Sequence, residues 1–314
     1  MGIVKWFYDS GYDYGQGLPE RPREVHGFVL DKPTRIRDAL VEGGALEAAT
    51  LESPESITEQ ELLAVHDERL VAGLRRPQAV ADAIELDLIA LLPPEVVWSA
   101  VVAPQLHAAG GTCEALRAAW AGQWAINLSG GYHHARRGLA HGFCLVNDVA
   151  LAVARMRRAR TRRRVLIVDL DLHQGDGNAE LFAGDDEVFT FSMHEDGTFP
   201  IPKLCSDLDV GLPFGTGDAD YLARLAEALR TVESRFSPEV VVYLAGSDPY
   251  RGDPLGSLRL SSEAMAERDL LVARFAVRLG CALVALPAGG YSPESPEITA
   301  AGFAKIAAAA DVTS

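Results

Sequence analysis

The sequence predicts an α/β protein with a mainly parallel sheet covered by helices on both faces. Two observations carry this. Apolar runs of strand length at 165–170, 188–193, 240–245 and 282–286 alternate with longer stretches whose apolar residues recur at helical spacing. Polar, chemically capable residues follow each run, as expected of parallel strands whose carboxyl ends face a ligand. With 314 residues, 48% of them apolar, the chain has ample material for a buried core. No biased linker or internal repeat divides it, so residues 1–314 read as one domain.

Taken in order, residues 3–8 are β-branched and aromatic and read as the first strand, and the Gly, Pro and charge-rich stretch 10–22 reads as a loop. Residues 34–42 and 59–74 carry helical periodicity. Residues 96–120 do so as well, with an interruption expected at Gly110-Gly111. A short strand at 125–128 leads into a glycine turn, and 146–158 is helical. Helices are expected at 219–236 and at 262–279, the latter capped by Ser261 or Ser262, whose side-chain oxygen can accept a free N–H. A last helix spans 296–309.

Charge and cysteine content exclude several classes. Against 29 Lys and Arg stand 44 Asp and Glu, a net charge of −15. Such a chain is unsuited to the phosphate backbone of nucleic acids and suits a cationic substrate. No apolar window reaches the length of a membrane span, and the first residues lack the order of a secretory signal. The four cysteines are scattered without a C-x-x-C pair and read as reduced thiols of a cytoplasmic protein. Only four lysines occur, and the Arg-rich, Ala-rich usage reflects a GC-rich genome rather than function. Arg155, Arg157, Arg158, Arg160, Arg162, Arg163 and Arg164 read as a solvated helix terminus, where cations complement the dipole. An anion or acidic-partner patch is the alternative.

The residues after the strands point to chemistry. The run after position 168 is Asp169-Leu170-Asp171-Leu172-His173, and alternate residues of an extended chain share a face. Two carboxylates and an imidazole on one face either cap the next helix or surround a cation, and the O and N donors suit Zn²⁺ or Fe²⁺. Asp248, beyond the 240–245 run, supplies a third ligand. Three protein ligands leave a position for water, whose pKa the metal lowers towards ~7. His133 and His134, after the glycine turn, can act as base and acid, and Tyr291, after Gly289-Gly290, can reach a substrate oxygen.

Together these segments resemble the zinc-dependent histone deacetylases of the arginase–deacetylase superfamily. Gly130 to Ala135 and Gly142-Phe143-Cys144-Leu145-Val146-Asn147-Asp148 are similar to the family's tandem-histidine and G-F-C-x-x-N-D motifs. The D-x-D-x-H-x-G-D-G run, the segment around Asp248 and Gly289-Gly290-Tyr291 match in order and spacing over most of the chain. Gln174, His26-Gly27-Phe28 with Lys32, Val65-His66-Asp67 and Ser206 to Val210 resemble bacterial class IV members.

The resemblance implies a three-layer arginase–deacetylase fold around an eight-stranded, mainly parallel sheet, and hydrolysis of N-acyl-lysine in proteins or peptides. Polyamines or small acylamides are alternative substrates. A non-catalytic acyl-lysine-binding module and a binuclear ureohydrolase are rival readings, disfavoured by the full motif set. Carried over, Asp171, His173 and Asp248 match the metal ligands. His134 with Asp176 matches the general base and acid, His133 with Asp169 its companion pair, and Tyr291 the oxyanion donor. Phe143 and Phe199 match the walls around the lysine stem, with Gly142 lending a carbonyl. Segments near Asp169, His173 and Ser192 resemble a site for K⁺. Among the departures, His141 is expected at the tunnel mouth, and the Pro-bounded stretch 18–22 adds a loop.

Overall fold

The computed structural model describes residues 4–18, 24–25, 28–159 and 162–310. In chain order the strands are β1 (Lys5–Phe7), β2 (Glu24–Val25), β3 (Phe28–Val29), β4 (Leu51–Glu52), β5 (Ala125–Asn127), β6 (Val165–Asp169), β7 (Val188–Glu195), β8 (Leu208–Leu212), β9 (Val240–Leu244) and β10 (Ala282–Leu286). The α-helices are α1 (Lys32–Glu42), α2 (Glu59–Leu62), α3 (Glu68–Gly73), α4 (Pro77–Ile84), α5 (Pro94–Val97), α6 (Ala103–Trp120), α7 (Asp148–Arg158), α8 (Asp176–Leu181), α9 (Asp218–Arg235), α10 (Ser262–Leu279) and α11 (Ser295–Ala310). Expected elements at 3, 19–22 and 26–27, and Arg160 of the basic run, lie outside the described residues.

β2 and β3 form a small antiparallel pair. The other eight strands make one sheet in the order β4-β1-β5-β10-β9-β6-β7-β8, parallel throughout. Its central strands are apolar on both faces, as a sheet covered on both sides requires. Leu166, Val168, Val241, Tyr243, Leu283 and Ala285 point into one core, shared with Leu225 of α9, Phe275 of α10 and Phe303 of α11. Val165, Ile167, Val240, Val242, Val284 and Leu286 point into the other, shared with Leu116 of α6 and Val149 of α7. The result is a helix–sheet–helix sandwich in which each buried Val, Leu or Ile contributes ~1.5–3 kcal/mol.

Two expected helices differ in the structure. The stretch 59–74 is split into α2 and α3 because it contains a second start signal. Thr58 caps α2 in a capping box with Glu61, and Asp67 accepts from Leu70 N at 2.8 Å to begin α3. Between them the buried His66 donates from Nδ1 to Arg136 O (2.9 Å) and accepts Asn147 N–H at Nε2 (3.0 Å).

The expected break at Gly110-Gly111 does not occur. α6 runs through both glycines, preceded by a π-helical turn at Trp98–Val102. They are required by close approach: a Cβ on Gly110 would lie 1.8 Å from Glu55 O, and one on Gly111 2.0 Å from the Tyr12 hydroxyl. The cap of α10 is Ser261, accepting from Ala264 N at 3.1 Å.

The two-residue β4 and the edge strand β8 carry no apolar run and had no strand signal in the sequence. Conversely, β7 runs two residues past the expected 188–193, so that His194 lies within it. The described arginines of the basic run are largely paired. Arg155 meets Glu61 and Glu114, Arg157 meets Asp185 and Glu187, Arg162 meets Glu187, and Arg163 meets Glu239. Asp185, Glu187 and Glu239 lie just ahead of β7 and β9 at the amino edge of the sheet, whereas Glu61 and Glu114 join α7 to α2 and α6.

Candidate active site

β5, β10, β9 and β6 are neighbours, so their carboxyl ends deliver four sequence-distant segments to one rim. β6 ends at Asp169 and the chain then bends. Asp169 goes to His133, with Nδ1 and Oδ2 2.8 Å apart. Asp171 and His173 turn towards Asp248, beyond β9. His173 Nδ1 lies 3.3 Å from Asp171 Oδ1 and 3.1 Å from Asp248 Oδ2. One potential ligand atom from each of the three residues falls within 4.8 Å of the others, and all three residues are buried.

Main-chain donors aim the carboxylates. Asp171 accepts from Gly289 N (2.8 Å) and His173 N (3.0 Å), and Asp248 accepts from Leu172 N (3.0 Å). His134 and His133 lie side by side, ring centroids 4.0 Å apart, and His134 Nδ1 pairs with Asp176 Oδ1 at 2.8 Å. His141 approaches the other oxygen of that carboxylate, Nε2 to Oδ2 3.0 Å, and its ring lies 5.4 Å from that of Phe199.

Burial opposes charge on every one of these groups. At His133 the Asp169 and Asp171 carboxylates outweigh burial and hold the ring up at about 9. At His134 burial and the neighbouring His133 outweigh Asp176 and push it down to about 3. Against burial, the two histidines on Asp176 hold its carboxyl well below the usual range. Burial and the adjacent Asp171 push Asp248 up, so these two carboxylates crowd one another unless a cation lies between them.

Tyr291 follows β10, and its ring stands 6.5 Å from His173 and 5.7 Å from Phe143. Phe199 packs 4.9 Å from His134 and 6.4 Å from His173. Gly142, Phe143, Tyr291 and the tandem histidines line a cavity of about 80 Å³ that also reaches Tyr14, Phe28 and Lys32. Phe143 sits at φ 67°, a conformation costing a non-glycine residue ~1–3 kcal/mol. Its carbonyl is held by the buried Gln105, Nε2 to O 2.8 Å.

Several supporting residues carried no site signal of their own. Asp253 accepts Tyr291 N at 2.7 Å. The half-buried Lys32 donates to the carbonyls of Ala288 (3.1 Å) and Gly289 (2.8 Å), just ahead of the tyrosine. Asp148 accepts Gly131 N and Tyr132 N, fixing the turn before the histidines. Gln174 clamps the Phe199 loop to β8 through Leu204 O and Asp209. In the sequence Lys32, Gln174 and Asp148 stand out only as parts of family-like segments. Their bonding partners are too distant along the chain to read.

The Asp171–His173–Asp248 set suits a divalent cation by its chemistry, two carboxylates and one imidazole in reach of a shared point. The space is also kept clear. A Cβ on Gly289 would lie 2.5 Å from Asp171 Oδ2 and 2.6 Å from Asp248 Oδ2, and one on Gly246 2.5 Å from Asp171 Oδ2. The residues present therefore fit a metal ion.

A helix–sheet–helix sandwich with this constellation at its carboxyl rim defines a hydrolase of the arginase–deacetylase superfamily. The Histone deacetylase domain profile matches residues 26–306, and the chain belongs to the histone deacetylase family, whose fold implies a metal cofactor.

Histone deacetylase 2 of Arabidopsis thaliana is 34% identical over 304 residues, covering 96% of this chain and 78% of its own length. The crystal structure of an HDAC homolog complexed with SAHA superposes with a TM-score of 0.76 at 24% identity, over 99% of this chain and 84% of that one. That of acetylpolyamine aminohydrolase from Burkholderia pseudomallei gives 0.73 at 22%, over 97% and 98%. At these identities the structural likenesses speak for the fold. By family the protein is an amidohydrolase of the deacetylase type.

Proposed function

We propose that this chain hydrolyses the amide of N-acyl-lysine in proteins or peptides, with a divalent metal held by Asp171, His173 and Asp248. Zn²⁺ is the proposed ion, with Fe²⁺ the alternative for the same donors. Bound there, a divalent ion polarises an amide carbonyl and acidifies water towards a pKa of ~7.

The chain's own groups do the rest. His134 is kept neutral, and Asp176 fixes its Nδ1, so Nε2 is free to take a proton from the attacking water. The same ring later returns that proton to the leaving amine. His133, charged against Asp169, adds positive potential beside the reacting centre. The Tyr291 hydroxyl donates to the oxyanion as it forms, positioned by Asp253 and Lys32 through the main chain. Phe143 and Phe199 flank the alkyl stem and exclude water, and Gly142 offers a carbonyl at the tunnel wall.

The observation that carries this reading is the His134–Asp176 pair set beside a buried Asp₂His cluster. An N-acylated polyamine is the second reading, favoured by the net charge of −15. We further propose a single catalytic domain over residues 1–314, a class IV-like, bacterial member, and a cytoplasmic enzyme. The four unpaired cysteines support the last, and among the described residues no helix is long and apolar enough to cross a membrane. K⁺ near Asp169, His173 and Ser192 is part of the same proposal.

The test is release of a fluorophore from acetyl-, octanoyl- and myristoyl-lysine peptides and release of acetate from N-acetylspermidine, with and without a chelator. Chelator-sensitive hydrolysis of an acyl-lysine peptide supports the reading. Hydrolysis of the polyamine alone replaces it with the second, and no hydrolysis of either refutes both.

A further inference from the structure

Arg268 lies in the middle of α10 and is 1% exposed. Burying a guanidinium is strongly unfavourable unless its hydrogens are bonded and its charge is met. Here both conditions hold, and its partners are specific. Nη1 donates to Gly246 O at 2.6 Å and Leu170 O at 3.3 Å, and Nη2 to Ala245 O at 3.3 Å. Nε and Nη2 meet Asp269 Oδ1 at 2.9 and 2.8 Å. Asp269 in turn accepts the Tyr243 hydroxyl at 2.5 Å.

The three carbonyls belong to the tips of two adjacent strands, at the points where their ladder ends. Leu170 directly precedes Asp171, and Gly246 stands two residues before Asp248. A single planar fork therefore bonds the backbone beside both carboxylates of the Asp₂His cluster. Without it the tips would carry unpaired carbonyls in a dry interior.

We propose that Arg268 is a positioning residue for the metal site, setting the separation of Asp171 and Asp248 by bridging the tips of β6 and β9. Its charge cannot be the benefit, because a cation behind a cation site repels the ion. Asp269 neutralises that charge and leaves the geometry. The inference rests on Asp171, His173 and Asp248 being metal ligands and extends that reading to the strand tips beneath them.

The experiment measures Zn²⁺ affinity by competition with a chromophoric chelator, and the visible absorption of the Co²⁺-loaded protein. Both are read for wild type, Arg268→Lys, Arg268→Gln and Tyr243→Phe, with apo-protein melting recorded alongside. Lysine keeps the charge but not the fork, so R268K should bind Zn²⁺ about 10–100-fold more weakly with an altered Co²⁺ spectrum. Y243F loosens the far end of the network and should lower the melting temperature without changing affinity or spectrum.

R268K with wild-type affinity overturns the inference. So does Y243F weakening the metal as much as R268K, and so does failure of both Arg268 variants to fold while Y243F binds metal normally, which marks a purely structural role. Wild-type protein that takes up no Zn²⁺ overturns the ligand reading itself.

Discussion

Tyr291 and Asp248 sit on neighbouring loops, yet their loss should read out differently. Tyr291→Phe removes one oxyanion donor and should lower kcat about 10²–10³-fold while metal content stays stoichiometric. Asp248→Ala should lose the metal itself, measured by elemental analysis after gel filtration. Wild-type turnover in the first variant, or full metallation in the second, contradicts the assignments.

At this scale the candidate site was legible because its residues lie in short motifs just beyond strand ends, where a strand's alternation and a glycine turn are visible locally. The residues that hold them were not. Gln105, Asp148 and Arg268 act through carbonyls and amides 16 to 98 positions away, and no spacing in the chain announces such a bond.

At the scale of elements, α6 runs unbroken through Gly110-Gly111 because other chain segments approach both glycines closely. In an exposed helix, Gly→Ala stabilises by up to ~1 kcal/mol. At Gly110 the new methyl would meet a fixed backbone oxygen, so Gly110→Ala should instead destabilise by about 3 kcal/mol, read by denaturant unfolding.

The junction between α2 and α3 gives a pH prediction. Burial and the nearby Arg137 charge outweigh the Arg136 carbonyl and Asp67, pushing His66 down to about 4 from 6.5. As pH falls the unfolded chain takes the proton first. This contribution is therefore intact above about pH 6.5 and lost between 6.5 and 4, in total about 3 kcal/mol. His66→Asn should be less stable at pH 7.5 yet show a shallower loss across that window by thermal melting. An unchanged slope counts against the buried neutral ring. Neither contact could be read from helical periodicity, which reports which face is apolar and not what approaches it.

At the scale of the whole molecule, the fold class was legible from the alternation of strands and helices, because both faces of a covered sheet must be apolar. The strand order was not, since each run looks alike to its neighbours. β4 and β8 were lost because one is two residues long and the other has an exposed face.

Four of the described arginines of the basic run, Arg155, Arg157, Arg162 and Arg163, are paired with acids, so they do little to offset the net charge of −15. KM for an acyl-lysine peptide flanked by basic residues should accordingly rise several-fold between 50 and 500 mM salt with kcat unchanged, while an uncharged substrate shows no such rise. Equal salt dependence for the two would remove steering from the account.

The sheet order has a kinetic consequence. β10 comes last among the strands but is seated between β5 and β9, and Gly289-Gly290-Tyr291 arrives with it. Until that insertion, β5 and β9 present two open edges to the same gap, a hazard for pairing with other chains. Pairings across such sequence separations form slowly. The reactive rim therefore comes into being only with the closing of the sheet, so a partly folded chain has no working catalytic centre.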